Sequence, residues 1–181
     1  MDTWSKTPWT DASQIVGLID PDAEPGDAAG KPLPDWFAGL VAKQDYSSAL
    51  GFLAHAMSRY DCVVWAARTM LDQGMAERGD PLMTATLRWI DNPEDDDVRR
   101  GAFEVAETLR KSTPARMLAQ AVFFAAGSIA PAQHPAVQPP LDVCAKLAST
   151  AVLIGAYALP DANAAMRRAL EIGEAMISGR G

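Results

Sequence analysis

Residues 80–126 read DPLMTATLRWIDNPEDDDVRRGAFEVAETLRKSTPARMLAQAVFFAA, and the fold class is decided there. Three times a polar residue that can cap a helix stands directly before a proline: Asp80-Pro81, Asn92-Pro93 and Thr113-Pro114. A cap followed by proline at the first helical position is a start signal, because proline lacks only an N–H that the first turn leaves unpaired anyway. Behind the first start, Met83, Leu87 and Ile90 recur at helical spacing. Behind the second, Val98, Ala102, Val105, Ala106 and Leu109 form a single stripe. Behind the third, Met117 to Ala126 is apolar nearly all round, which suits a helix in the middle of a bundle.

The same spacing extends in both directions. Upstream, Trp36, Phe37, Leu40 and Val41 predict a short helix after Pro34-Asp35. Leu50, Leu53 and Met57 predict a second within 46–57. Val63, Ala66, Ala67 and Met70 predict a third within 59–75, closed by Gly74 and Gly79. Downstream, residues 127–140 form a neutral, proline-rich crossing. A helix follows over 141–159, and Pro160 separates it from a last one whose buried stripe is Ala162, Met166, Ala169, Gly173 and Met176, with Arg167 and Glu171 paired outside. No period-2 run of β-branched and aromatic residues appears. The reading is an all-α protein, a compact bundle of about seven helices with an irregular N-terminal arm.

The arm is residues 1–34 and the helical domain 35–181. The arm carries Pro8, Pro21, Pro25, Pro32 and Pro34. Up to Asp45 the chain has 8 acidic and 3 basic residues, against 15 and 13 in the remainder. Most of the acidity therefore sits in and next to the arm. Trp4, Trp9 and the Ile15-Val16-x-Leu18-Ile19 run are its anchors, expected on the chain's own core or, by exchange, on a second copy in a homodimer.

A chain of 181 residues with 49% apolar and 22% charged side chains suits one globular domain. The formal net charge of −7 disfavours nucleic acid, whose phosphates demand a concentrated basic face. Cys62 and Cys144 are too few for a disulfide scaffold and suit a reducing compartment. Residues 1–10 lack the apolar core of a secretory signal. The uncharged stretches 117–141 and 147–160 are broken or too short for a bilayer, which takes ~20 apolar residues. The expectation is a cytoplasmic protein that meets no membrane.

The chemistry-bearing residue types do not assemble into a reactive centre. In Asp91–Asp97, DNPEDDD, the calcium-loop pattern fails for want of its turn glycine and closing glutamate. These carboxylates read instead as a helix start, with Glu94, Asp95 and Asp96 in the first turn. His55 and Cys62 lie ~10 Å apart along any continuous helix, too far for a thiol and its base. Cys144 reads as core, and His134 sits in the crossing without a partner. Arg78-Gly79-Asp80 is a helix stop meeting the next cap. No catalytic residue, metal site or cofactor is expected.

Arg59, Asp61, Arg99 and Arg100 are charges beside core stripes, and Arg59 with Asp61 is expected to form a partly buried pair. Trp65 and Trp89 fall off the cleanest stripes and are expected to be partly exposed, where tryptophan near arginine anchors partners. Gly127-Ser128-Ile129-Ala130-Pro131 ends one helix, and Pro139-Pro140 precede the next. The candidate interaction surface is Arg59, Asp61, Trp65, Trp89, Gly127, Ser128, Pro131, Pro139 and Pro140. The expectation is a non-enzymatic module with a protein partner. The alternative is a small-ligand binder or enzyme gathering His55, Arg59, Asp61 or Arg99.

Three segments together resemble an uncharacterised bacterial all-helical family over roughly residues 33–178. They are Phe52-Leu53-Ala54-His55-Ala56 running into Arg59-x-Asp61-x-Val63-x-Trp65-Ala66; Trp89-Ile90-x-x-Pro93 with Arg99 and Ala102; and Thr113-Pro114-Ala115, Phe123, Gly127–Pro131 and Pro139-Pro140. The chain departs from that pattern at Ser58, where proline is usual, and at Val64, where a second tryptophan is usual. The resemblance implies a domain of unknown function, found beside bacterial type VI secretion genes, in an accessory or adaptor role. It carries over no catalytic residues.

Overall fold

The structure is a computed structural model; it describes residues 4–22, 24, 26–131 and 133–180. Pro25 of the arm lies outside the described residues. Nine α-helices are present among them, with no strand: α1 (Ala12–Ile19), α2 (Leu33–Ala42), α3 (Tyr46–Ala56), α4 (Arg59–Asp72), α5 (Pro81–Asp91), α6 (Asp96–Glu107), α7 (Pro114–Ala125), α8 (Val143–Tyr157) and α9 (Ala162–Ile177). The all-α reading holds, with more helices than about seven.

One of the nine, α1, lies in the arm, which is less irregular than its prolines suggest. Asp11 accepts from the Ser13 amide, and the Gln14 side chain reaches back to the Asp11 amide at 3.0 Å. This reciprocal capping box satisfies donors at both ends of the first turn. The helix it starts buries Ala12 and Ile15 completely. Before it, Trp4 packs edge-on against Phe37 with ring centroids 5.2 Å apart. The Lys6 amide donates to the Ile177 carbonyl at 3.0 Å, and Trp9 Nε1 donates to the His55 carbonyl at 2.9 Å.

Two of the three proline starts are built as read. Asp80 caps α5 through the Leu82 amide, and Thr113 caps α7 through the Arg116 amide, each with proline in the first turn. Asn92-Pro93 is different. Asn92 closes α5, and the Asp95 amide donates to its carbonyl at 3.1 Å, so Pro93 occupies a turn. The cap of α6 is Asp95, whose carboxylate accepts from the Asp97 and Val98 amides at 3.0 Å. α4 stops at Asp72, ahead of the expected end. Gly74 adopts φ +68°, and the Met75 amide folds back to the Met70 carbonyl at 2.8 Å, the left-handed helix stop that glycine favours.

The centre of the bundle is α8, which packs on α3, α4, α7 and α9. Its glycine and alanine faces allow this: Ala145, Ala148, Ala151, Val152, Gly155 and Ala156 are buried. α7 bridges α8 to the α5–α6 pair. α9 lies close to α3 and α4 at Gly173, where a methyl group would stand 2.6 Å from Leu53 and 2.8 Å from Trp65 Nε1. The outer ion pairs of α9 belong to Arg168, which reaches Asp72 on α4 and Glu171. Among the described residues, no helix is long and apolar enough to cross a membrane.

Candidate functional site

The exposed crossing between α7 and α8 is an irregular segment held at both ends by side chains of other helices. The first turn of α6 begins its anchorage. Asp96 stands three and four residues before Arg99 and Arg100, the spacing at which helical side chains meet. It holds Arg99 Nη2 at 2.6 Å with one oxygen and Arg100 Nε at 2.7 Å with the other. Hydrogen bonds from Arg100 and Arg99, with their positive charges, outweigh burial and hold the Asp96 carboxyl below its ordinary value.

Aligned in this way, both guanidiniums point at the end of α7. Arg99 donates Nη1 to the Phe123 carbonyl and Nη2 to the Ser128 carbonyl at 2.8 Å. Its carbon centre sits 4.8 Å from the Phe123 ring centroid. Arg100 donates to the carbonyls of Ser128 at 2.8 Å and Ala130 at 3.0 Å. The last carbonyls of a helix lack partners within it, and here cationic donors supply them. Gly127, between Phe123 and Ser128, has φ +62°. A Cβ there would lie 2.9 Å from Asp96 Oδ1 and 3.0 Å from Arg99 Nε, so both conformation and space require glycine.

The far end of the crossing is held by a third arginine. Arg59, the first residue of α4, donates Nη2 to the carbonyls of Pro139 at 3.1 Å and Pro140 at 3.2 Å. Between the clamps the segment closes on itself. Ser128 Oγ accepts from the amides of Ala130 at 3.1 Å and Val137 at 2.9 Å. The Ile129 amide donates to the Val137 carbonyl at 2.9 Å, and the His134 amide to the Pro131 carbonyl at 2.9 Å. Pro131, Gln133 to Gln138, Pro140 and Leu141 are exposed, while Pro139 is buried.

The structure thus brings together Arg59, Gly127, Ser128, Pro131, Pro139 and Pro140, joined by Arg99, Arg100 and Asp96. It does not place the two tryptophans on this surface. Trp65 is fully buried, and its Nε1 donates to the Ala169 carbonyl at 2.9 Å. Helix α4 is covered by α5, α7, α8 and α9, so its buried sector is wider than a single stripe. Trp89 is 1% exposed because α5 buries Leu82, Met83, Thr86 and Trp89, a face that keeps Met83 of the expected stripe but is rotated from Leu87 and Ile90 toward Trp89. The expected pair of Arg59 and Asp61 does not form: Arg59 turns to the Pro139 and Pro140 carbonyls, while Ser58 donates its hydroxyl to Asp61 at 2.7 Å and caps the helix. The part of Asp96 escaped the sequence reading. Its signal was the i,i+3 and i,i+4 spacing to two arginines.

The remaining reactive types are apart or silenced. The helix breaks between His55 and Cys62 at Met57–Ser58. Burial pushes the His55 pKa down, and its Nδ1 lies 2.7 Å from the Gly51 carbonyl. A hydrogen bond with the Cys144 thiol, together with burial, pushes the Cys62 thiol well above its ordinary value. Both cysteines are free and buried. His134 lies in the exposed crossing. The described residues contain no group of three or more His, Cys, Asp or Glu placed to hold a metal ion.

The model of a family of unknown function (DUF6931) matches residues 36–177. No curated protein and no solved structure matches the chain.

Proposed function

The chain belongs to the DUF6931 family of unknown function, and on that premise we propose that it is a non-enzymatic helical interaction module, an accessory or adaptor protein that receives a protein partner on the crossing at residues 127–140. The observation that supports this reading is the clamp. Surface loops are ordinarily the mobile part of a domain. This one is solvent-facing, rich in proline, and tied at both ends by three arginines to its own carbonyls. Ordering a loop in advance removes that entropic cost from binding, a benefit only if something binds. The family resemblance supports the finer proposal of an accessory role in bacterial type VI secretion. The two free thiols support a cytoplasmic setting.

The test places a photo-crosslinking residue at Val137 in the crossing and, separately, at Tyr157, which is 65% exposed at the end of α8. In the native host, the Val137 probe should yield a protein adduct that the Tyr157 probe does not. The adduct should weaken when Arg100→Ala loosens the crossing. Identical adducts from both positions, or none, would reject the assignment.

A further inference from the structure

Where the arm lies across the bundle, a cleft of about 160 Å³ remains. Pro8, Trp9 and Leu18 cover it from the arm, and Met57, Leu141 and Ala145 form apolar walls. His55 lines it, is 5% exposed, and leaves Nε2 buried without a hydrogen-bond partner. Because the Gly51 carbonyl can only accept, the proton of the neutral ring is on Nδ1, and Nε2 presents a lone pair. Neutrality is maintained by burial, which lowers the pKa of this histidine.

Several donors around the cleft are turned to other partners. Trp9 Nε1 serves the His55 carbonyl, Arg59 Nη2 serves Pro139 and Pro140, and the Ser58 hydroxyl serves Asp61. Cys62 and Cys144 share a hydrogen bond. His55 Nε2 remains an acceptor without a partner in a space lined mainly by apolar groups, with Ser58 and Arg59 at its border and the Asp142 and Lys146 charges acting on the ring. An apolar cavity of about 150 Å³ holds a benzene-sized molecule. We propose that this cleft is a binding site for a small, mainly apolar molecule carrying one hydrogen-bond donor, a phenol-type hydroxyl that donates to His55 Nε2. The ligand touches arm and bundle together, so it strengthens their contact.

The probe is phenol, titrated into the full chain and followed by the side-chain NMR signals of the two histidines. His134, in the exposed crossing, is the internal control. The His55 ring signals should shift and saturate with Kd on the order of 1 mM or tighter, while those of His134 stay in place. Anisole, the same ring without the donor, should bind at least about tenfold more weakly. Ala145→Leu, which fills the cleft, should abolish saturation. Parallel shifts at both histidines, no saturation by ~20 mM phenol, or equal affinity for anisole would each overturn the proposal. The phenol–anisole comparison uses the unaltered chain, so it decides the matter even where the filled variant folds poorly.

Discussion

Arg99 carries a full charge with 1% of its surface exposed, and such a charge persists only when its donors are matched. Here Asp96, Phe123 and Ser128 match them. Arg99→Ala strands the Phe123 carbonyl, leaves Ser128 with Arg100 alone, and should cost about 3–5 kcal/mol in urea unfolding. Arg99→Lys should not rescue it, because an ammonium cannot reproduce the planar fork. The pH dependence follows from two shifts of the same direction and different chemistry. Asp96 titrates below its ordinary value, so its contribution is complete above that value and is lost only as acid protonates it in the fold. His55 is held neutral, so its contribution is complete above its ordinary value of 6.5 and falls as pH drops below it. The loss is at most ~1.4 kcal/mol per pH unit for one proton. Denaturation midpoints at pH 7.5 and 5.0 should show this acid limb, and His55→Gln should flatten it.

At the scale of the element, Gly101 stands in the middle of α6, and a Cβ there would meet nothing within 4 Å. Gly101→Ala should therefore stabilise the protein by about 0.5–1 kcal/mol, measured as a shift in thermal midpoint. Trp4 is the opposite case. It is 5% exposed among Phe37 and Phe52, and Trp4→Ala should cost about 3–5 kcal/mol. Helix starts were largely legible because a cap and its proline are neighbours in sequence. Asp80-Pro81 and Thr113-Pro114 needed no tertiary information. Asn92-Pro93 has the same local chemistry, but a carboxylate three residues on, Asp95, outcompeted it as the cap. The Asp11…Gln14 box of α1 was equally local and was masked by the surrounding glycines and prolines.

Across the whole molecule, the arm and the bundle share one core. Trp4, Ala12 and Ile15 belong to the same buried cluster as Trp65 and Leu118. Unfolding should accordingly be a single cooperative transition, with tryptophan fluorescence and far-ultraviolet circular dichroism coincident. An early fluorescence change, from an arm that detaches first, would contradict this. The fold class was readable because burial writes a period into each helix. The candidate surface was only half readable. Gly127, Pro131, Pro139 and Pro140 announced a constrained loop, but which charges hold it depends on contacts 28 to 81 residues apart in the chain. Exposure of Trp65 and Trp89 likewise depended on how many neighbours cover α4 and α5, which a single helix's pattern does not encode.

The crossing also has a chemical signature of its own. From Met117 to Ala145 the chain has neither lysine nor arginine, so trypsin finds no bond to cut between Arg116 and Lys146. α7, the loop and the opening of α8 leave a digest as one peptide, and anything covalently attached along that span travels with it into the mass spectrometer.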